Sequence, residues 1–176
     1  MNDTEAVILR GRGIRLLALD VDGVLTDGRV IYGSDGSELK AFNIKDGLGI
    51  KLLQQAGIGI ALITGRQSSV VTRRATELGI DEVIQGREDK LAALRELCQR
   101  CALELQQCAY MGDDLPDLAA IQAAGLGMTV ADAAAVVRAR AHWCSAAAGG
   151  AGAVREACEW LLRVQGSWPQ LEAGFQ

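Results

Sequence analysis

The chain has 176 residues, 49% hydrophobic and 23% charged, and its 18 basic against 22 acidic residues leave a formal net charge of −4. A chain of this length buries enough surface to fold without disulfides or a structural metal, and an acidic balance with no long basic run argues against nucleic acid or an anionic membrane as principal partner, because both are bound chiefly by lysine and arginine on phosphate. No apolar run approaches the roughly 18 residues of a membrane span, and residues 1–10 lack a charged-then-apolar leader with a small-residue cleavage site, so the expected location is cytoplasmic.

In chain order, Leu16-Leu-Ala-Leu19 is the first short apolar run, followed by runs at 58–63, 82–84, 108–111 and 126–130. Their near-continuous hydrophobicity, without in/out alternation, is what strands of a parallel sheet covered on both faces require. Helical patterns fall between and after them at about 46–55, 68–78, 89–103, 115–124, 133–141 and 153–164. The alternation predicts an α/β fold, a doubly wound, mainly parallel sheet with helices on both faces, forming one domain over 1–176. One segment departs from it: residues 28–32 and 37–43 read as two strands around the turn Gly33-Ser-Asp-Gly36, a β-hairpin of about 28–43 inserted after the first strand. The tail from Gly166 to Gln176, with Pro169 and two glycines, is expected to be loosely ordered or docked on something else. The five cysteines (Cys98, Cys101, Cys108, Cys144, Cys158) are an odd number, which fits reduced thiols. Cys98-Gln-Arg-Cys101 has zinc-ligand spacing but lies in a helical pattern with no nearby second pair, and it reads as semi-buried helix thiols.

The chemistry collects where apolar runs end. Asp20-Val-Asp22-Gly23 follows the first run, so two carboxylates leave the carboxyl end of a buried strand, where an open α/β sheet places its ligands. An ionised carboxylate after four apolar residues must be paired or bind a cation, and Gly23 permits the sharp exit from the strand. Ile60-Ala-Leu-Ile63 runs into Thr64-Gly65-Arg66, and Cys108-Ala-Tyr-Met111 into Gly112-Asp113-Asp114-Leu-Pro-Asp117. Asp114 has the position of a helix N-cap, with Pro116 in the first turn and Asp117 facing unsatisfied amides; capping does not explain Asp113. Lys90 opens a helix, where a cation opposes the macrodipole unless an anion holds it. The single histidine, His142, has no acid nearby and is read as structural, which leaves a serine or cysteine nucleophile without a base. No P-loop is present, and Gly57-Ile-Gly59 does not extend into a dinucleotide fingerprint.

The order Asp-x-Asp-Gly, Thr, Lys, Gly-Asp-Asp-x-x-Asp resembles the four motifs of the haloacid dehalogenase superfamily of aspartate-nucleophile phosphatases. The resemblance implies that Asp20 attacks phosphorus and forms an aspartyl-phosphate, and that Asp22 protonates the leaving alkoxide and then deprotonates water. It implies that Thr64 and Lys90 hold the phosphoryl oxygens. A Mg2+ ion is implied on Asp20, the main-chain carbonyl of Asp22 and Asp113, with Asp114 and Asp117 behind them orienting water and Lys90. Manganese or cobalt could serve in place of magnesium.

Phosphatases of that superfamily usually carry a cap domain, but 41 residues between Asp22 and Thr64, 25 between Thr64 and Lys90, and 22 between Lys90 and Asp113 leave room for none. The site is therefore expected to be open, with a neighbouring protomer as its lid, hence an obligate oligomer. From about Gly13 to Gly166 the chain resembles the capless group that removes the phosphate of 3-deoxy-D-manno-octulosonate 8-phosphate in lipopolysaccharide synthesis. In that group hairpins assemble a homotetramer and a C-terminal tail can reach an adjacent site. Arg66 after Thr-Gly matches it, whereas phosphatases for nonulosonate 9-phosphates typically have Glu there. Arg66 and Arg74 are the candidates for recognising the sugar-acid carboxylate, with Thr64 and Lys90 on the phosphate. The alternatives are a nonulosonate 9-phosphate phosphatase and a catalytically silent oligomerisation module of the same fold.

Overall fold

A computed structural model describes residues 3–175. Its elements in chain order are α1 (Asp3–Arg12), β1 (Leu16–Leu19), β2 (Ile31–Tyr32), β3 (Glu38–Leu39), α2 (Ile44–Gln55), β4 (Gly59–Ile63), α3 (Ser69–Leu78), β5 (Glu82–Ile84), α4 (Lys90–Arg100), β6 (Cys108–Gly112), α5 (Leu118–Ala123), β7 (Leu126–Thr129), α6 (Ala135–Arg138), β8 (Trp143–Cys144), α7 (Ala153–Val164) and α8 (Trp168–Ala173). The main sheet has the order β5-β4-β1-β6-β7-β8 with every pairing parallel. The chain steps from β1 outward to β4 and β5, then crosses back to β6 on the other side of β1. That reversal opens a crevice at the carboxyl ends of the central strands.

Leu19 pairs with both Leu62 and Met111, so the next residue on each strand emerges at one level, and Asp20 N–H donates to Met111 O at 2.9 Å. Beneath that level Leu17, Leu19, Leu62, Ile63 and Met111 are fully buried. Such two-sided burial is the reason these strands lack alternation. Helix α2 packs on α7 and α3, and α1 on α7, while α4 packs on α5, as right-handed crossovers on two faces require. The Asp46 carboxylate of α2 accepts the Arg155 main-chain N–H at 2.7 Å, a cap supplied to the start of α7 by another helix.

Several features differ from expectation or decide between its alternatives. Residues 115–117 form a 3-10 turn before the shorter helix α5. The hairpin has only two paired residues per strand and forms a ribbon of its own. Of the two readings of the tail the docked one holds: α8 packs on α7, with Trp168 buried and the Arg163 and Arg155 guanidinium groups 4.7 and 5.8 Å from its ring centroid. Helix α1 and strand β8 carry too little apolar periodicity to announce themselves. Arg10 Nη1 donates to Gly125 O at 2.7 Å from α1, and β8 is two residues long. All five cysteines are free thiols. Among the described residues no helix is long and apolar enough to cross a membrane.

Candidate active site

The carboxyl ends of β1, β4 and β6 and the start of α4 surround a cavity of about 490 Å³, lined among others by Asp20, Asp22, Thr64, Arg66, Lys90 and Asp113. Each group is fixed by its own element. Asp20 is the first residue past β1; its Oδ1 accepts the Val21 N–H at 2.7 Å and its Oδ2 receives Lys90 Nζ at 2.7 Å. Thr64 follows β4, with its N–H on Ile84 O at 2.9 Å and its side chain buried. Gly23 has φ +88°, and a Cβ there would overlap the Asp113 carboxylate. The turn after β1 therefore needs glycine both for its left-handed backbone and for the close approach of β6's acid.

Lys90 lies buried at the first position of α4, and the anions that hold it against the macrodipole are Asp20 and Asp117, at 2.7 and 2.6 Å. Burial alone would depress its ammonium; the two carboxylates outweigh burial and raise it above the ordinary lysine range. Asp117 is saturated. Its Oδ1 accepts Lys90 Nζ and the Tyr110 hydroxyl (2.7 Å), and its Oδ2 accepts the main-chain N–H groups of Asp113 and Asp114 at 3.1 Å each. Asp114 caps the following turn, its Oδ1 accepting the Leu115 N–H at 2.8 Å.

One carboxylate oxygen from each of Asp20, Asp113 and Asp117 lies within 4.8 Å of the others. Three acids face one ammonium there. Burial, and then the Asp117 charge, push the Asp20 carboxyl up to about 7 against the pull of Lys90; the same two causes push Asp113 up to about 6. The surplus negative charge at carboxylate oxygens fits a hard divalent cation. With Asp117 already saturated by four donors, Asp20 and Asp113 are the carboxylates left to meet it.

The cavity gathers every expected site residue except Arg74. That side chain stands over the Phe42 ring at 5.7 Å and pairs with Glu77 at 3.4 Å, and it does not line the cavity. It lies on the flank of α3 that faces α2, where a Cβ at Gly47 would sit within 3 Å of its guanidinium. Sequence reasoning missed three hairpin residues that bond to the cavity residues Asp22 and Arg66. Lys40 Nζ donates to Asp22 Oδ1, Glu38 Oε1 receives Arg66 Nη2 at 3.0 Å, and the Tyr32 hydroxyl lies 3.3 Å from the same Arg66 nitrogen. The available signal was the i, i+2 spacing of Glu38 and Lys40, which places both on one side of an extended chain.

A family model for haloacid dehalogenase-like hydrolases matches residues 40–125. Over 160 residues the chain is 46% identical to the 3-deoxy-D-manno-octulosonate 8-phosphate phosphatase KdsC of Escherichia coli strain K12, covering 91% of this chain and 85% of that protein. The crystal structure of 3-deoxy-D-manno-octulosonate 8-phosphate phosphatase from Moraxella catarrhalis, in complex with a magnesium ion, a phosphate ion and a KDO molecule, superposes with a TM-score of 0.95 at 48% identity, covering 97% of this chain and 98% of that one. The cobalt-bound deoxy-D-mannose-octulosonate 8-phosphate phosphatase (YrbI) of Haemophilus influenzae gives a TM-score of 0.87 at 39% identity, over 89% and 92%.

Proposed function

We propose an activity for this chain, which belongs to the haloacid dehalogenase-like hydrolases: magnesium-dependent hydrolysis of 3-deoxy-D-manno-octulosonate 8-phosphate to the free sugar acid and inorganic phosphate. The observation that carries it is the convergence of Asp20, Asp22, Thr64, Lys90 and Asp113 on one cavity at the carboxyl ends of parallel strands. Identity of 46% to a phosphatase of that substrate, over 91% of this chain, supports the choice of ester.

Mg2+ would be held by the carboxylates of Asp20 and Asp113 and the main-chain carbonyl of Asp22, and when bound it lessens the repulsion between the nucleophile and the phosphate dianion. The protein's own groups do the rest. Asp20, oriented by the Val21 N–H and Lys90, attacks phosphorus. A bond forms from its carboxylate oxygen to phosphorus, the bond from phosphorus to the sugar's O8 breaks, and Asp22 gives its proton to the departing alkoxide. Asp22 then takes a proton from the water that attacks the aspartyl-phosphate, freeing phosphate and restoring the Asp20 carboxylate. Thr64 and Lys90 hold the phosphoryl oxygens, where charge spreads in the transition state. Asp117 acts through Lys90, and Asp114 through the turn it caps. Arg66, 44% exposed at the mouth, is placed for the carboxylate of the sugar acid, while Arg74 supports the α2–α3 contact.

The same reading makes the chain a cytoplasmic homo-oligomer, a tetramer, with a neighbour covering the open mouth. The exposed apolar side chains of the hairpin, Val30, Ile31, Tyr32 and Leu39, support an interface there, and five free thiols suit a reducing compartment. Phosphate release by the purified protein tests the activity. The eight-carbon acid phosphate should turn over faster than a nonulosonate 9-phosphate, and EDTA should stop it. No release from either ester in the presence of Mg2+ would overturn the reading in favour of a silent module.

A further inference from the structure

Four charged side chains alternate in sign at the edge of the cavity: Asp22 and Arg66, which line it, and Lys40 and Glu38 of the hairpin, which lie behind those two and bond to them. Lys40 Nζ bonds Asp22 Oδ1 and lies 3.6 Å from Glu38 Oε1; that same Glu38 oxygen is 3.0 Å from Arg66 Nη2, and Arg66 Nε is 3.9 Å from Asp22 Oδ2. The Lys40 side chain is only 1% exposed. An ammonium buried to that degree needs acceptors beside it, and two carboxylates lie against it. They are not equivalent. Asp22 is anchored just beyond β1 of the main sheet, whereas Glu38 rides on a two-stranded ribbon of two residues per strand that shares no pairing with that sheet. A ribbon of that size has little stability of its own. Glu38 is thus the anion that can leave.

We infer that Lys40 is a specificity-determining residue: with Arg66 it forms a two-cation clamp for the carboxylate of the substrate, and Glu38 is the resident anion that the incoming carboxylate displaces. This deepens the sugar-acid reading and rests on it. The exchange is carboxylate for carboxylate, so Lys40 and Arg66 face the same number of anions before and after it. A substrate bound with Glu38 still in place would add a second carboxylate beside Glu38 at the edge of a cavity already receiving a phosphate. An ester without a carboxylate has nothing to offer the clamp and leaves Glu38 seated. The hairpin so becomes part of substrate discrimination within one protomer, besides any role between protomers.

The test compares kcat and KM for 3-deoxy-D-manno-octulosonate 8-phosphate with those for arabinose 5-phosphate, a sugar phosphate with no carboxylate, in the wild type and in K40M, K40R and E38Q. The wild type should prefer the acid. K40M should cut that preference about tenfold or more, mainly through KM for the acid, as expected for loss of a charge-assisted hydrogen bond, and K40R should recover most of it. E38Q should lower KM for the acid severalfold, because the competing anion is gone. If E38Q instead raises that KM, Glu38 merely holds Arg66 in position and the inference falls; it falls equally if K40M folds and keeps the wild-type preference. A wild type that shows no preference for the acid sinks the sugar-acid reading itself, a result distinct from either variant's failure. Should K40M not fold, E38Q decides by the direction of its KM change.

Discussion

Lys90 Nζ and Asp117 Oδ1 meet at 2.6 Å in the wall of the cavity, and 2.7 Å separates the same nitrogen from Asp20 Oδ2. A single ammonium thus bridges the acid proposed as nucleophile and an acid whose oxygens are already taken by four donors. Asp117 holds the bridge from behind, itself bonded to Tyr110 and to the main chain of β6's exit turn. Asp117→Ala leaves a buried ammonium, a buried hydroxyl and two N–H groups short of their acceptor. The expected loss is about 3–5 kcal/mol in urea unfolding. Asp117→Asn keeps the shape and one acceptor but not the charge; it should fold, with kcat lowered about 10–100-fold, the size of effect typical of residues that orient a ligand-bearing group.

Asp20→Asn should remove turnover, by about 10³-fold or more, while the fold stays intact. Stability sharpens the test. The folded-state carboxyl titrates at about 7, above its unfolded value of 3.8, because burial and Asp117 oppose the charge. A group raised in this way contributes stability that is full below pH 3.8 and is lost as pH rises through about 7. Without metal at pH 8, the neutral Asn variant should therefore melt at or above the wild type, and the difference should shrink at pH 5. Magnesium should raise the wild-type melting temperature at pH 8 more than that of Asp20→Asn. Equal shifts in both proteins would show that the cation does not rest on this carboxylate.

These acids were legible in the sequence because position alone made them improbable as structure. Asp20 follows four residues of a buried strand, and Asp113 follows another such run, so burial could be inferred from the neighbours. The mouth of the site was not legible. Glu38 and Lys40 sit in a polar hairpin whose local pattern is that of a solvated ribbon, and only the fold back toward β1 brings Lys40 to Asp22. Arg74 shows the converse. Its helix and its charge suggested substrate; within its own chain the guanidinium stands over Phe42 and beside Glu77, outside the cavity, contacts set by how α3 meets α2.

Gly23→Ala should damage catalysis more than stability. The left-handed φ of +88° penalises any side chain by about 1–2 kcal/mol, but a new methyl group also enters the space of the Asp113 carboxylate. Turning that carboxylate away should lower kcat by about 100-fold or more, with weakened dependence on magnesium concentration. A variant with full kcat and an unchanged magnesium requirement would show that Asp113 is not held by this contact.

His142 offers a clean pH probe because it is the only histidine. Its Nδ1 accepts the Gly127 N–H at 2.9 Å while the His142 main-chain N–H donates to Gly127 O at 2.8 Å, tying the segment before β8 to β7. Burial, and secondarily Arg10, hold the imidazole below its ordinary 6.5. A depressed group contributes stability that is present above the unfolded value and is lost as pH falls toward the folded one. The wild type should lose stability below about pH 6.5 through this group, and His142→Asn should flatten that part of the melting-temperature profile. Identical slopes in the two proteins between pH 7 and 5 would refute the assignment.

Trp168 is the residue through which the C-terminal segment contributes to the fold. Its ring is buried with the Arg163 and Arg155 guanidinium groups over it at 4.7 and 5.8 Å from the centroid, and Leu48 and Leu52 of α2 border the same small cavity. Burying an aromatic ring of this size, with cation–π contacts added, makes replacement by alanine cost about 3–5 kcal/mol. Trp168→Ala should therefore unfold at clearly lower urea than the wild type. The site at the carboxyl ends of β1, β4 and β6 draws no group from α8, so kcat of the folded enzyme at low temperature should hold. A large fall in kcat with unchanged urea stability would reverse this assignment and make the tail part of the reaction's surroundings, reaching a neighbouring protomer's cavity instead of buttressing its own helices.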